Sequence, residues 1–237
     1  MATSSSDLLS PYERRHADSL HELQRSSALE GEFGNADDLG PDLADLRPFA
    51  DYGEAWAGVR LPEQMSGCAL RFTELGARWQ TSEGILGEFY FRPFSDLVTD
   101  AGGAEPWPEA TDFQTDFMSQ LRVFDQTPRS GAGKLTYLRL QPGPGPLEIW
   151  YSDIADIADD PYPDGFIKMD ITYCEYLDAL LLTKGTYGWQ YLYTDISLDR
   201  GDFVATVEFL DGMLQLFPTI FPQHDYSDLR ERLEARR

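Results

Sequence analysis

Five aspartates crowd one stretch in the second half of the 237-residue chain, at Asp153, Asp156, Asp159, Asp160 and Asp164. Clustered carboxylate oxygens can bind a hard cation such as calcium. They can also form a contact surface for a basic partner, or stay a solvated loop. The alternating spacing and distal glutamate of an EF-hand loop are missing, which disfavours a metal site. We therefore take these five residues as candidate partner-binding residues.

Trp189 is a sixth candidate, because it stands between Gly188 and Gln190. An exposed tryptophan beside a glycine often lines a small-molecule pocket. The alternative interpretation is that its ring packs in the core.

No recognisable catalytic constellation stands in the chain. His16 and His21 are five residues apart and do not share a helix face, and His224 is alone near the C-terminus. The motifs HExxH, CxxC, GxSxG and GxxxxGK[ST] are missing. The sequence therefore predicts a non-enzymatic protein without cofactor, catalytic residue or metal ligand. An enzyme that uses acidic residues, with or without a metal, stays the alternative because carboxylates are abundant.

The net charge of -22, from 41 acidic and 19 basic residues, is far larger than solubility requires. Such a field repels phosphate backbones, so it argues against direct nucleic-acid binding. It attracts a basic protein and speeds the encounter with it. A generally acidic or salt-adapted proteome is the other explanation.

Cellular location is predicted from the N-terminus and the cysteines. The first residues, MATSSSDLLSPYERR, lack the order of a secretory signal, and no apolar run reaches about 18 residues. This predicts a cytoplasmic protein without a membrane segment. Cys68 and Cys174 lie far apart in sequence and are predicted to be reduced, packed thiols.

The clearest element that could position these residues is a helix after Thr172. Thr172 and Glu175 have the spacing of a capping box. Apolar residues then recur every three or four positions, and Gly185 follows Lys184 at the predicted end. Since a helix this short is marginal alone in water, we expect its apolar stripe to pack against a sheet.

The rest of the chain alternates between helical and strand patterns. A helix is predicted from the Ser10 cap to about Ala28, then an irregular arm with a short helix near 42–52. Strand patterns follow in CALRFTELGARW and GEFYFRPF, and a proline-glycine turn joins GKLTYLRLQP to LEIWYSDI as a hairpin. A helix is predicted over 113–124, with a strand at its C-terminal end as the alternative. GWQYLYTDISL fits a short helix or a strand, one helix ends at Pro218, and a last helix begins at Ser227.

Three of these segments, in this order, resemble the SMI1/KNR4 (SUKH) superfamily of bacterial immunity and related proteins. They are GEFYFRPFSDLV, PLEIWYSDI and FIKMDITYCEYLDALLL, with LPEQ at 61–64 as a further similarity. The resemblance covers roughly residues 60 to 195. It implies an α+β domain that binds and neutralises a toxin protein, and many such toxins are basic nucleases.

The sequence as a whole predicts an α+β fold with an N-terminal helical arm, and the resemblance implies a mixed, mainly antiparallel sheet flanked by helices. The predicted division is residues 1–58 for the arm and 59–237 for the SUKH-like domain. The predicted function is that of a cytoplasmic immunity protein of a toxin–antitoxin type, whose acidic surface binds a basic toxin. A regulatory scaffold subunit is a further alternative, and the sequence predicts no oligomeric state.

Overall fold

A computed structural model describes residues 8–36, 38–100, 103–143, 146–153 and 157–237. Within them, the helices are α1 (Pro11–Arg25), α2 (Met65–Cys68), α3 (Phe94–Thr99), α4 (Asp112–Ser119), α5 (Tyr173–Thr183), α6 (Val204–Ile220) and α7 (Ser227–Arg236). The strands are β1 (Glu30–Phe33), β2 (Leu75–Gln80), β3 (Leu86–Phe91), β4 (Leu121–Gln126), β5 (Leu135–Arg139), β6 (Glu148–Ser152) and β7 (Phe166–Met169). The predicted α+β fold with an N-terminal helix is confirmed.

The seven strands form one antiparallel sheet in the order of the sequence, from β1 to β7. Each strand pairs with the next along the chain, and the predicted hairpin is the β5–β6 pair, in which Tyr137 lies opposite Trp150. Successive side chains of a strand point to opposite faces of the sheet. One face carries the main core, which includes Phe91, Leu138 and Ile149. The opposite face, here called the back face, carries a smaller cluster around Phe117 and Trp150.

Helix α1 begins at the predicted Ser10 cap, which forms a capping box with Glu13. The Glu13 N–H donates to Ser10 Oγ (3.1 Å), and the Ser10 N–H donates to the Glu13 carboxylate (2.9 Å). Glu13 is buried and also accepts from Arg71 Nε at 2.8 Å. This ion pair fixes α1 to the chain before β2, while Leu20 and Leu23 of the same helix enter the core.

Helix α5 packs its apolar residues against the sheet as predicted, and Tyr176, Leu177 and Leu180 are buried. The Thr172–Glu175 capping box is present. The helix ends differently from the prediction, because Lys184 itself adopts the left-handed conformation at φ 52°. Its ammonium group is fully buried and bonds Glu22 at 2.6 Å, so this cation joins α5 to α1.

The prediction of reduced cysteines is wrong, because Cys68 and Cys174 form a disulfide. Cys68 is the last residue of α2, and Cys174 lies in the first turn of α5. These elements pack side by side, with the two Cα atoms 5.6 Å apart. The two cysteines are 106 residues apart in sequence, so no local sequence pattern indicated that they are in contact.

Two predicted helices have different bounds. The helix expected over 113–124 ends at Ser119, and the chain continues as β4, which is the alternative that the pattern left open. The helix expected to stop at Pro218 continues to Ile220. Its Leu214 carbonyl, which the missing N–H of Pro218 leaves free, accepts from the Arg230 guanidinium at 2.6 Å.

Candidate partner-binding surface

The loop between β6 and β7 presents three of the predicted aspartates to solvent. Asp159, Asp160 and Asp164 are exposed, and none of them has a cationic partner within ion-pair distance among the described residues. Asp156 lies outside the described residues. We use the name acidic loop for residues 157–165.

Asp153 and Trp189 are placed differently from the prediction. The Asp153 side chain is only 7% exposed and accepts from Lys134 Nζ at 2.6 Å. Hydroxyl groups of Tyr151 (3.1 Å) and Tyr191 (3.2 Å) donate to the same oxygen, so this charge is neutralised inside the protein. Trp189 is 1% exposed and its ring packs 4.7 Å from that of Tyr176. Trp189 therefore belongs to the core, and a partner cannot contact it on the surface.

Backbone hydrogen bonds within the acidic loop close it on itself just before β7. The Tyr162 N–H donates to the Asp159 carbonyl at 2.9 Å, and the Gly165 N–H donates to the Ile157 carbonyl at 2.7 Å. Gly165 has φ +78°, a conformation that favours glycine. This folding directs Tyr162 inward and leaves the carboxylates of the loop in water.

Tyr162 connects the acidic loop to α4 through aromatic contacts. Its ring lies 4.5 Å from that of Trp150, 5.1 Å from Phe117 and 5.4 Å from Phe113. Phe117 and Trp150 are buried, whereas Phe113 is 42% exposed. An exposed aromatic ring thus stands directly beside the acidic loop.

Helix α4 adds further acids to this surface. A capping box between Thr111 and Gln114 fixes its start. Asp112 and Asp116 are exposed along the helix, and Trp107, in the preceding loop, is 39% exposed. We define the acidic–aromatic surface as the acidic loop together with Trp107 and the exposed residues of α4.

Two cations on the neighbouring strands are already paired. Glu148 binds Arg139 at 3.0 Å and Lys168 at 2.5 Å. Burial alone would raise the pKa of Glu148, but the hydrogen bonds from Lys168 and from the Trp150 ring N–H hold it below its usual value. The carboxylate therefore stays ionised. Because Arg139 and Lys168 are paired with it, they do not compete with a basic partner for the exposed acids.

The exposed aromatic residues of this surface were not predicted from the sequence. The sequence predicts a helix over 113–124, in which Phe113 stands at helical spacing with Phe117. Since α4 ends at Ser119, Phe113 lies in its first turn at the margin of the small cluster. The loop AEPWPEAT could have indicated an exposed aromatic residue, because its tryptophan stands among acids and prolines in an otherwise polar stretch.

The three histidines are not brought together. His16 is a buried residue of α1, and burial lowers its pKa to about 3, so it stays neutral. His21 is exposed, and His224 lies 3.1 Å from Glu22. Over the described part of the chain, no group of three or more histidine, cysteine, aspartate or glutamate side chains is arranged to hold a metal ion.

No protein-family model matches the chain, and no significant match to it was found among curated proteins or solved structures. In the described residues one segment, Gly201–Ile220, has the length and mean hydropathy (1.2) of a membrane-spanning helix. One such segment is weak evidence for a membrane span, and the structure is compatible with a soluble protein.

Proposed function

We propose that this chain is a binding protein for a basic partner protein, which it contacts through the acidic–aromatic surface. One observation carries the proposal: the exposed carboxylates of Asp159, Asp160 and Asp164, which have no ion-pair partner among the described residues, adjoin the exposed ring of Phe113. Aromatic side chains are enriched where binding energy concentrates in interfaces. Carboxylates around such a ring select a basic partner and speed its association.

The finer proposal is that the partner is a bacterial toxin and that this chain is its immunity protein. The resemblance of residues 60–195 to the SUKH superfamily motivates it. An α+β domain with an antiparallel sheet agrees with what that resemblance implies. The net charge of -22 supports a basic toxin, such as a nuclease with a cationic active-site surface.

A cytoplasmic location belongs to this finer proposal, whereas the Cys68–Cys174 disulfide favours an oxidising compartment, so the state of the two cysteines tests the location. In a reducing cytoplasm, Cys68 and Cys174 are expected to be thiols. Alkylation of fresh extract of the native host, followed by mass measurement, counts the free thiols. Two modified cysteines would support the cytoplasmic location, and none would place the protein in an oxidising compartment.

The function is tested by co-purification of the full chain with the product of its neighbouring gene, followed by a salt titration of the complex. A tight complex with a basic protein that weakens as salt rises is expected. The variant Asp159→Asn/Asp160→Asn/Asp164→Asn should slow association by about tenfold at low salt. The matched control Asp18→Asn/Glu30→Gln/Glu54→Gln removes the same charge from exposed acids elsewhere.

Equal association rates for the two triple variants would show that only the overall charge matters and would remove the acidic loop from the interface. Absence of any complex, together with thermal stabilisation by a divalent ion, would favour the metal-assisted enzyme instead.

A further inference from the structure

An open groove of 460 Å³ lies on the back face of the sheet, beside α4. Its lining is mainly apolar, with Val123, Leu135, Tyr137, Phe166, Met118 and Ala104, and it also includes Asp100, which pairs with Arg92 at 3.0 Å. Glu105 stands at its rim, is exposed and has no ion-pair partner among the described residues.

The sheet register explains why this lining is mainly apolar. Val123 lies opposite Tyr137 in the β4–β5 pair, and Ser152 lies opposite both Leu135 and Phe166 in the two following pairs. The apolar side chains of this set therefore share the back face. Helix α4 spans eight residues and covers only part of it, so Val123 and Leu135 stay half-buried.

The groove adjoins the acidic loop at Phe166, the first residue after that loop. Phe166 lines the groove and follows Asp164 by two residues, and its ring lies 5.9 Å from Phe117 beneath α4. An apolar depression rimmed by polar groups marks an interaction site. Its acidic rim at Glu105 and the adjoining loop indicate that the occupant carries positive charge.

We propose that the groove receives a short apolar segment of the same basic partner, with flanking lysine or arginine residues directed at Glu105 and the acidic loop. This inference rests on the proposed function. It adds that binding has an apolar component, which salt does not screen, as well as an electrostatic one.

Two synthetic peptides of equal length and lysine content test the inference, measured by fluorescence anisotropy against the full chain. One has leucines between the lysines, and the other has glutamines in their place. The leucine peptide should bind at least about tenfold more tightly, which corresponds to burial of roughly one leucine side chain. Leu135→Gln should remove most of this difference. The control Leu8→Gln, at a leucine that is 60% exposed outside the groove, should leave it intact.

Val123→Thr is a milder second variant, and urea unfolding of each variant confirms that it is folded. If the acidic-loop triple variant weakens both peptides while Leu135→Gln and Val123→Thr change neither, the groove proposal is overturned and the electrostatic function survives. If neither peptide binds in a salt-dependent way, both proposals fail. Self-association of the chain that Leu135→Gln abolishes would assign the groove to a second copy and would also overturn the inference.

Discussion

The carboxylate of Asp125 lies in the core, far from the exposed acids that dominate the composition. It follows an irregularity in the β4–β5 register, between Val123 and Asp125. The Tyr90 N–H donates to one of its oxygens at 3.0 Å and the Tyr176 hydroxyl to the other at 2.6 Å. Burial raises the pKa of Asp125 to about 6, even though these hydrogen bonds lower it.

This pKa makes stability depend on pH. Because the folded pKa exceeds the unfolded value of roughly 3.9, the native state binds the proton more tightly. The free energy of unfolding should therefore fall as pH rises from about 4 to about 6 and level off above. Asp125→Asn removes this titration. The free energy of unfolding of the variant minus that of the wild type should therefore increase by roughly 3 kcal/mol from pH 4 to pH 8.

Urea unfolding of both proteins across this pH range measures the effect. Asp164→Asn is the control, since it makes the same change at an exposed site. Parallel pH curves for wild type and Asp125→Asn would show that Asp125 does not titrate in this range.

Single residues were predictable from the sequence where their partners are close along the chain. The predicted Ser10 cap and the predicted Thr172 capping box join residues three positions apart, and they are confirmed. Asp153 and Trp189 were not predictable in this way. The burial of Asp153 depends on Lys134 and Tyr191, and that of Trp189 on Tyr176 and its neighbours in the core.

Among the elements, β1 shows why some strands cannot be predicted from sequence patterns. Its sequence EGEF has no apolar alternation, and all but its last residue are exposed. It is a strand because it pairs with β2, and Gly31 is needed there because a Cβ would lie 2.1 Å from the Arg78 carbonyl oxygen. For α4 and β4, pairing of β4 with β5 overrides the helical spacing of the phenylalanines.

The disulfide should stabilise the packing of α2 on α5. It closes a loop of 106 residues, and the loss of unfolded-state entropy for such a loop corresponds to about 2–5 kcal/mol. Cys68→Ser/Cys174→Ser should therefore lower the free energy of unfolding by this amount. Urea unfolding with and without dithiothreitol provides the check. Reductant should destabilise the wild type and leave the double variant unchanged, whereas equal stability in all four measurements would contradict a stabilising disulfide.

Helices α6 and α7 are joined at the point where Pro218 interrupts the α6 hydrogen bonds. Arg230 supplies the donor that the Leu214 carbonyl would otherwise lack. Arg230→Met should cost about 1 kcal/mol in the wild type. It should cost less in a Pro218→Ala background, because the substituted residue has a backbone N–H that can donate to the Leu214 carbonyl.

A double-mutant cycle of Arg230→Met and Pro218→Ala, followed by urea unfolding, measures this coupling. Additive effects would indicate that Arg230 acts through its other contacts and not through the Leu214 carbonyl.

At the scale of the whole molecule, the fold class followed from the sequence because the sheet is a meander. Each strand pairs with its neighbour in the chain, so alternating patterns and one proline-glycine turn were enough to predict several strands and one hairpin. The mainly antiparallel sheet was what the SUKH resemblance implied. The surface was harder to predict, since it depends on which acids remain unpaired after folding. The composition gives the net charge of -22. It does not show that Asp153 is buried and paired with Lys134 whereas Asp164 is exposed.

The same net charge gives salt two opposite effects, and both can be measured. Self-repulsion destabilises the folded chain at low ionic strength, where the Debye length is about 30 Å at 0.01 M, and less so at about 8 Å in 0.15 M salt. The melting temperature should therefore rise by roughly 2–4 °C over this range, equivalent to about 1 kcal/mol for a chain of this size. Asp159→Asn/Asp160→Asn/Asp164→Asn should melt higher than wild type at low salt, and its melting temperature should respond less to added sodium chloride.

The complex with a basic partner should weaken over the same range, because salt screens the attraction between the two proteins just as it screens the repulsion within this chain. A melting temperature that does not change with salt would show that the acids of the folded chain are too far apart or too well paired to repel one another.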